Sequence, residues 1–288
     1  MRWLVTGAGG MLGQDMLAEL ARRGAPATGL DRTALDITRP EGVRAAVEEH
    51  RPDVVVNCAA YTAVDDAETD EARALAINGE GPRHLARACA DHGARLIHVS
   101  TDYVFDGEAR SAPYPEDHPT APRTAYGRTK LAGERAVLAE LPGASAVVRT
   151  AWLYGAHGGN FVRTMIDLEA RRDTLDVVDD QRGQPTWTAK VAEQIAFLGA
   201  KLCAEEGAHG IFHATSSGEA TWFELAREVF RLVGADPERV RPTTSEAFVR
   251  PAPRPAYSVL GHDRWKEAGL QPLRDWREVL TEAFPSLV

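Results

Sequence analysis

The sequence predicts an α/β protein, a doubly wound parallel sheet over residues 1–151 followed by a smaller C-terminal lobe over residues 152–288. Three observations predict it. The short apolar run Arg2–Thr6 ends in the glycine-rich turn Thr6-Gly7-Ala8-Gly9-Gly10-Met11-Leu12-Gly13 and passes straight into a helical pattern. Strand-like and helical stretches then alternate as far as Thr150, which implies βαβ units and a parallel sheet with helices on both faces. Beyond Trp152 the pattern loosens into loops rich in Gly and Pro, with no internal repeat, so this part is expected to close over the carboxyl edge of the sheet while some of its segments return to the first domain.

In chain order, Met11–Arg23 places Leu12, Met16, Leu17 and Leu20 on one side of a helix. Ala27–Leu30 is a second strand ending at Asp31. A helix over Pro40–His50, a strand over Asp53–Cys58, a single helix over Glu71–His92 and a strand over Arg95–Ser100 follow. The helix Ala125–Leu141 and the strand Ser145–Thr150 complete the sheet domain. In the lobe, helices are expected over Asn160–Arg171, Thr188–Glu205, Trp222–Val233 and Asp275–Phe284, with a short strand over Ile211–Ala214. The stretch Arg250-Pro-Ala-Pro-Arg-Pro is expected as a stiff loop.

The turn after the first strand suits a dinucleotide diphosphate, and the fold it implies is of the Rossmann type. Glycine tolerates positive φ and lets backbone N–H groups approach a phosphate, while the helix N-terminus adds partial positive charge. The spacing Gly7, Gly10, Gly13 is a variant of the usual fingerprint, with Met11 and Leu12 inside it. Alone it is a weak signal. Its context strengthens it, because Asp31 ends the second strand about 20 residues on, where an acid holds the adenosine ribose. Arg32 pulls the other way: Asp31 favours a free 2′-hydroxyl, and Arg32 can pair with a 2′-phosphate. NADPH is therefore expected as the preferred cofactor, with NADH also accepted. Ligands of such sheets bind beyond the carboxyl ends of the strands, where Ala59-Ala60-Tyr61-Thr62 and Ser100-Thr101-Asp102 fall. Small Ala59 and Ala60 would let a nicotinamide riboside approach, although tight packing alone also explains small residues there.

Tyr126 and Lys130 are four residues apart at the head of a helix and so share a face. A phenol of ordinary pKa about 10 donates its proton poorly near neutrality, and a nearby ammonium lowers that pKa. Lysine is scarce in this chain, most of its 33 basic residues being arginine, so a lysine at this spacing is less readily filler.

Composition excludes several classes of function. A net charge of −9 argues against nucleic acid or an anionic membrane as partner. No signal peptide or spanning segment is visible, so the cytoplasm is the expected location. Cys58, Cys89 and Cys203 lack metal-ligand spacing and are expected to be reduced, and the scattered histidines form no zinc motif.

Taken together, Thr6–Gly13, Asp36-Ile37-Thr38, Arg51–Asp65, His98–Gly107 with its Ser100-Thr101-Asp102-Tyr103-Val104-Phe105-Asp106-Gly107 segment, Tyr126–Glu134, Arg149–Tyr154, Asp180–Thr186 and Arg254-Pro255 resemble the dTDP-4-dehydrorhamnose reductase family of extended short-chain dehydrogenases/reductases. The Thr101-Asp102 pair points to the reductase branch, because related epimerases and dehydratases resemble one another in a Ser-Ser-x-x-Val-Tyr-Gly segment there. The resemblance implies a catalytic triad of Thr101, Tyr126 and Lys130, with Thr101 binding the carbonyl oxygen. It implies cofactor contacts from Asp36, Ile37, Tyr61 and Thr62 as well as the residues above, and sugar contacts from Thr101, Asp102 and Trp152. Arg182 and Arg254 are candidates for the substrate diphosphate, a solvated arginine being the plain alternative for each. The implied substrate is a dTDP-4-keto-6-deoxyhexose, foremost dTDP-4-dehydro-L-rhamnose. Other antibiotic-sugar 4-ketoreductases, and the non-catalytic regulatory subunit of methionine adenosyltransferase, resemble the same family. Some of its members dimerise through a glutamate-bound magnesium ion. The matching positions here are Asp15, Ala189 and Glu282, with Lys190 beside them, which predicts no metal requirement and a monomer or weak homodimer.

Overall fold

The computed structural model describes residues 1–108, 112–204 and 208–288. The expected end of one helix at Glu205 lies outside the described residues. The first domain runs β1 (Trp3–Thr6), α1 (Met11–Arg22), β2 (Ala27–Leu30), α2 (Pro40–His50), β3 (Val54–Asn57), α3 (Glu71–Leu75), α4 (Gly81–His92), β4 (Arg95–Thr101), α5 (Ala125–Glu140) and β5 (Ser145–Thr150). The second part adds β6 (Leu153–Tyr154), α6 (Phe161–Glu169), β7 (Leu175–Val178), β8 (Arg182–Gly183), β9 (Thr186–Trp187), α7 (Thr188–Ala204), β10 (Gly210–His213), β11 (Ala220–Thr221), α8 (Trp222–Leu232), β12 (Val240–Thr243), α9 (Asp263–Glu267) and α10 (Trp276–Ala283).

Six parallel strands form one sheet in the order β10-β5-β4-β3-β1-β2. Side-chain alternation along β1 explains why Trp3, Leu4 and Val5 are all apolar. Trp3 and Val5 enter a core with Met16 and Leu20 of α1 and with Val191 and Ile195 of α7, whereas Leu4 enters a second core with α2 and α4 on the opposite face. Val54 and Val56 repeat the first orientation and Val55 the second. Although α7 and β10 lie late in the chain, they belong to this domain: α7 packs beside α1, and β10 extends the sheet beyond β5. A third core holds the lobe together, with Leu225, Val229 and Phe230 of α8 against Val177, Val240 and Trp276.

The helix expected over 71–92 is interrupted. Ala76–Glu80 is a π-helical turn between α3 and α4, and it turns the buried Asn78 toward the neighbouring loop. Gly133 of α5 lets that turn come close, since a Cβ there would sit 2.1 Å from the Asn78 carbonyl. Among the described residues, no helix is long and apolar enough to cross a membrane.

Candidate active site

A cleft of about 2090 Å³ opens at the carboxyl ends of the strands. The strand order changes direction at β1, which sends the chain to β2 on one side and receives β3 on the other, and this is where an open α/β sheet leaves a crevice. Gly7 sits at its floor with φ +67, and a Cβ there would lie 2.5 Å from the Ala59 backbone nitrogen. At Gly13 a Cβ would lie 2.3 Å from the Gly7 carbonyl. Protein packing thus demands these two glycines. A Cβ at Gly10 would come no closer than 3.3 Å to a surrounding protein atom, and one at Gly9, which sequence reasoning passed over, no closer than 3.5 Å. Both line the cleft at the start of α1, whose N-cap carries no side-chain hydrogen bond. That open, uncapped helix start is a cradle that a Cβ would begin to fill, and it fits a diphosphate.

Asp31 and Arg32 stand beside this cradle. Asp31 Oδ1 accepts from the Thr33 amide at 2.8 Å, from its hydroxyl at 2.6 Å and from the Ala34 amide at 3.1 Å, and these bonds hold the carboxyl below its ordinary value. One oxygen is therefore spent on the turn. Asp36 does the same for Thr38, and Ile37, Ala59, Ala60, Tyr61 and Thr62 complete this wall. Asn78, missed in the sequence, holds that wall in place: its Oδ1 accepts from the Tyr61 amide at 2.8 Å, while its Nδ2 donates to the Tyr61 carbonyl at 3.1 Å and to Thr129 Oγ1 at 3.2 Å. Behind Ala59, Asn57 accepts from Thr6 and donates to His98 Nδ1, a buried polar chain across three strands.

Thr124 caps α5 by accepting from the Gly127 amide at 3.0 Å, and this helix start carries Tyr126 and Lys130 into the cleft. A Cβ at Gly127 would lie 2.2 Å from the Tyr103 carbonyl, so glycine is what lets the helix dock there. The Tyr126 ring meets Tyr103 edge-on at 5.5 Å. Burial pushes the Tyr126 phenol up to about 12, with the Thr101 hydroxyl opposing. Burial pulls the Lys130 ammonium down to about 8 against the pull of Glu134, and its Nζ donates to the Val99 carbonyl at 2.7 Å. The lysine is anchored on β4, and desolvation governs the phenol.

The Thr101 hydroxyl donates to Asp102 Oδ1 at 2.9 Å and accepts from the Tyr103 amide at 3.3 Å. Burial pushes the Asp102 carboxyl up to about 6, and its Oδ2 has no hydrogen-bond partner.

Trp152 and Arg254 line the far side of the cleft. Arg254 Nη2 is 2.8 Å from Asp65 Oδ2, which ties the proline-rich loop to the first domain. Arg250, Gln181 and Ser258 line this side too and were not singled out from sequence. Arg182 is the one candidate absent from the lining: its guanidinium lies 3.3 Å from Glu219 and 3.7 Å from Glu224, held there because β8 pairs with β11. No group of three or more metal-ligating side chains occurs among the described residues. Asp15 accepts from Thr188, and Glu282 is paired with Arg274 and, at 2.9 Å, with Lys190.

Comparison with known proteins bears on this cleft. The family described as the RmlD substrate binding domain matches residues 1–288. The chain is 63% identical over 286 residues to a dTDP-4-dehydrorhamnose reductase of Streptomyces griseus, covering 99% of this chain and 94% of that one. It is 62% identical to a probable dTDP-4,6-dihydroxy-2-methyloxan-3-one 4-ketoreductase of Streptomyces antibioticus, covering 100% and 96%. Among solved structures, a dTDP-4-dehydrorhamnose reductase of Bacillus anthracis in complex with NADP superposes with a TM-score of 0.92 at 38% identity, covering 99% and 98%.

Proposed function

The chain belongs to the RmlD substrate binding domain family, and from that membership we propose that it reduces the C4 ketone of a dTDP-4-keto-6-deoxyhexose with NADPH, foremost dTDP-4-dehydro-L-rhamnose to dTDP-L-rhamnose. The observation that carries this reading is the meeting of Thr101, Tyr126 and Lys130 in the same cleft as the open helix start at Gly9 and Gly10. Residues 1–151 supply most of the cofactor side and residues 152–288 most of the sugar side, with α7 and β10 returned to the sheet. The relative named for a different ketoreductase supports a second sugar, a dideoxy 4-ketohexose, as the alternative substrate.

When bound, the reduced nicotinamide supplies the hydride. The residues of the chain do the rest. Tyr126, kept protonated by burial, gives its proton to the oxygen that gains charge at C4. Lys130, largely charged below its pKa of about 8, holds the cofactor ribose and stabilises the phenolate left behind. Thr101 serves the carbonyl oxygen once substrate draws its hydroxyl away from Asp102, an oxyanion-type contribution. Arg32, exposed beside the cradle and without an ion pair among the described residues, receives the 2′-phosphate, and Arg254 the substrate diphosphate. We further infer a cytoplasmic location and a monomer or weak homodimer, and, because Glu282 is already paired with Lys190 at 2.9 Å, no need for a metal.

NADPH oxidation with dTDP-4-keto-6-deoxyglucose plus a 3,5-epimerase, followed by product identification, tests the reading. Turnover to dTDP-L-rhamnose is expected. Cofactor binding without turnover would move the chain to a regulatory role.

A further inference from the structure

Among the described residues, Trp152 is one of two other than glycine with positive φ, at +47, a conformation that a bulky L residue avoids unless its surroundings impose it. It stands between the end of β5 and the start of β6, where the chain folds back so that the Thr186 amide reaches the Trp152 carbonyl at 3.1 Å. The backbone kink turns the indole toward the cleft. Two features then pin the ring. The Trp222 indole, on the first residue of α8, stacks on it with centroids 3.5 Å apart and planes 5° from parallel. Gly183 of β8 leaves the room for its edge, since a Cβ there would lie 2.5 Å from Trp152 Cε2 and 2.6 Å from Nε1.

Trp222 is itself fixed. Its Nε1 donates to Gln181 Oε1 at 3.1 Å, the Gln181 amide donates to Ser245 Oγ at 2.8 Å, and Ser245 is bound through its amide and hydroxyl to Asp180. Phe161 of α6 packs against the Trp222 ring, tilted by 50°, with centroids 4.6 Å apart. A face-to-face indole pair is not the arrangement that aromatic rings choose freely, so its occurrence beside a strained backbone points to an imposed geometry.

We propose that Trp222 is a positioning residue: with Gly183 it holds the Trp152 indole as a fixed wall of the sugar subsite, and so controls how tightly the cleft takes the sugar nucleotide. This rests on the reductase reading. A wall that does not yield costs the ligand no ordering, whereas a free indole must be immobilised on binding.

The experiment compares Trp222→Leu, Trp222→Phe and Gly183→Ala with wild type in steady-state kinetics and in calorimetric titration with dTDP-glucose and, separately, NADPH. Loss of one aromatic stack corresponds to roughly tenfold in affinity. Trp222→Leu is expected to raise the KM of the keto sugar and the Kd of dTDP-glucose about tenfold, with kcat and the NADPH Kd within about twofold. Gly183→Ala, by pushing the ring instead of unsupporting it, is expected to do the same, and Trp222→Phe to recover most of the loss. Melting of Trp152→Leu, Trp222→Leu and the double variant reads the stack without any ligand, the combined loss falling short of the sum. Additive melting losses, an unchanged sugar KM, or equal weakening of NADPH and sugar nucleotide would each overturn the proposal. A wild-type chain that binds dTDP-glucose but turns nothing over would instead sink the reductase reading, leaving the calorimetric and melting comparisons to decide on Trp222.

Discussion

Replacing Asp102 with asparagine measures what the cleft costs the fold. The Asp102 carboxyl is buried, one oxygen accepts from Thr101, and the other has no hydrogen-bond partner. Burial pushes it from an ordinary 3.8 to about 6, opposed by the Ser258 hydroxyl, which lies near without closing a hydrogen bond, and by the Thr101 hydroxyl. A carboxyl whose pKa is higher in the folded state takes up its proton more readily there. Its contribution to stability is complete below about pH 4 and is lost as pH rises through about 6. A rise of this size corresponds to about 3 kcal/mol. Asparagine does not titrate, so it escapes that loss, although its amide in place of the unpartnered oxygen costs about 1 kcal/mol at every pH. Asp102→Asn is therefore expected to be slightly less stable than wild type near pH 4 and more stable by about 2 kcal/mol at pH 8. Urea unfolding followed by tryptophan fluorescence at both pH values reads the difference, in which all other titrations cancel. A difference that changes by less than about 1 kcal/mol between the two pH values would show that the carboxyl is not desolvated as the cleft geometry implies. Weaker sugar binding in the same variant would mark Asp102 as a site where stability is given up for function.

Tyr126→Phe should leave fold and NADPH affinity intact and lower kcat by at least ~100-fold, and near wild-type turnover would remove the residue from the acid role. Lys130→Met should lower turnover and also weaken NADPH, read by titration of cofactor fluorescence. Arg32→Ala is expected to raise the KM for NADPH selectively while sparing NADH, because only NADPH carries the 2′-phosphate; equal losses would show that Arg32 does not read it. Light scattering at micromolar protein with and without EDTA should give the same mass, since Lys190 and Arg274 already pair with Glu282. A dimer that dissociates on chelation would refute that reading.

Local chemistry determined much of this protein. A glycine run between an apolar strand and an amphipathic helix is legible because φ, close approach and periodicity are properties of neighbouring residues, and Gly7, Gly10 and Gly13 fell where they were expected. Tyr126 and Lys130 were legible for the same reason, four residues on one helix sharing a face whatever surrounds them. What the tertiary structure alone decided involves partners distant in the chain. The π turn that aims Asn78 at Tyr61 forms against α5, and the periodicity of residues 71–92 does not announce it. Arg182 looked as good an anion partner as Arg254, yet pairing of β8 with β11 leaves it outside the cleft beside Glu219 and Glu224, whereas Arg254, though paired with Asp65, lines the cleft. The two-residue strands of the lobe are too short to leave a pattern, and they exist only because a partner strand arrives from elsewhere. The Tyr126, Lys130 and Asp102 pKa shifts belong to this second class too, since desolvation is set by how closely the folded chain surrounds a group, a quantity no stretch of sequence contains.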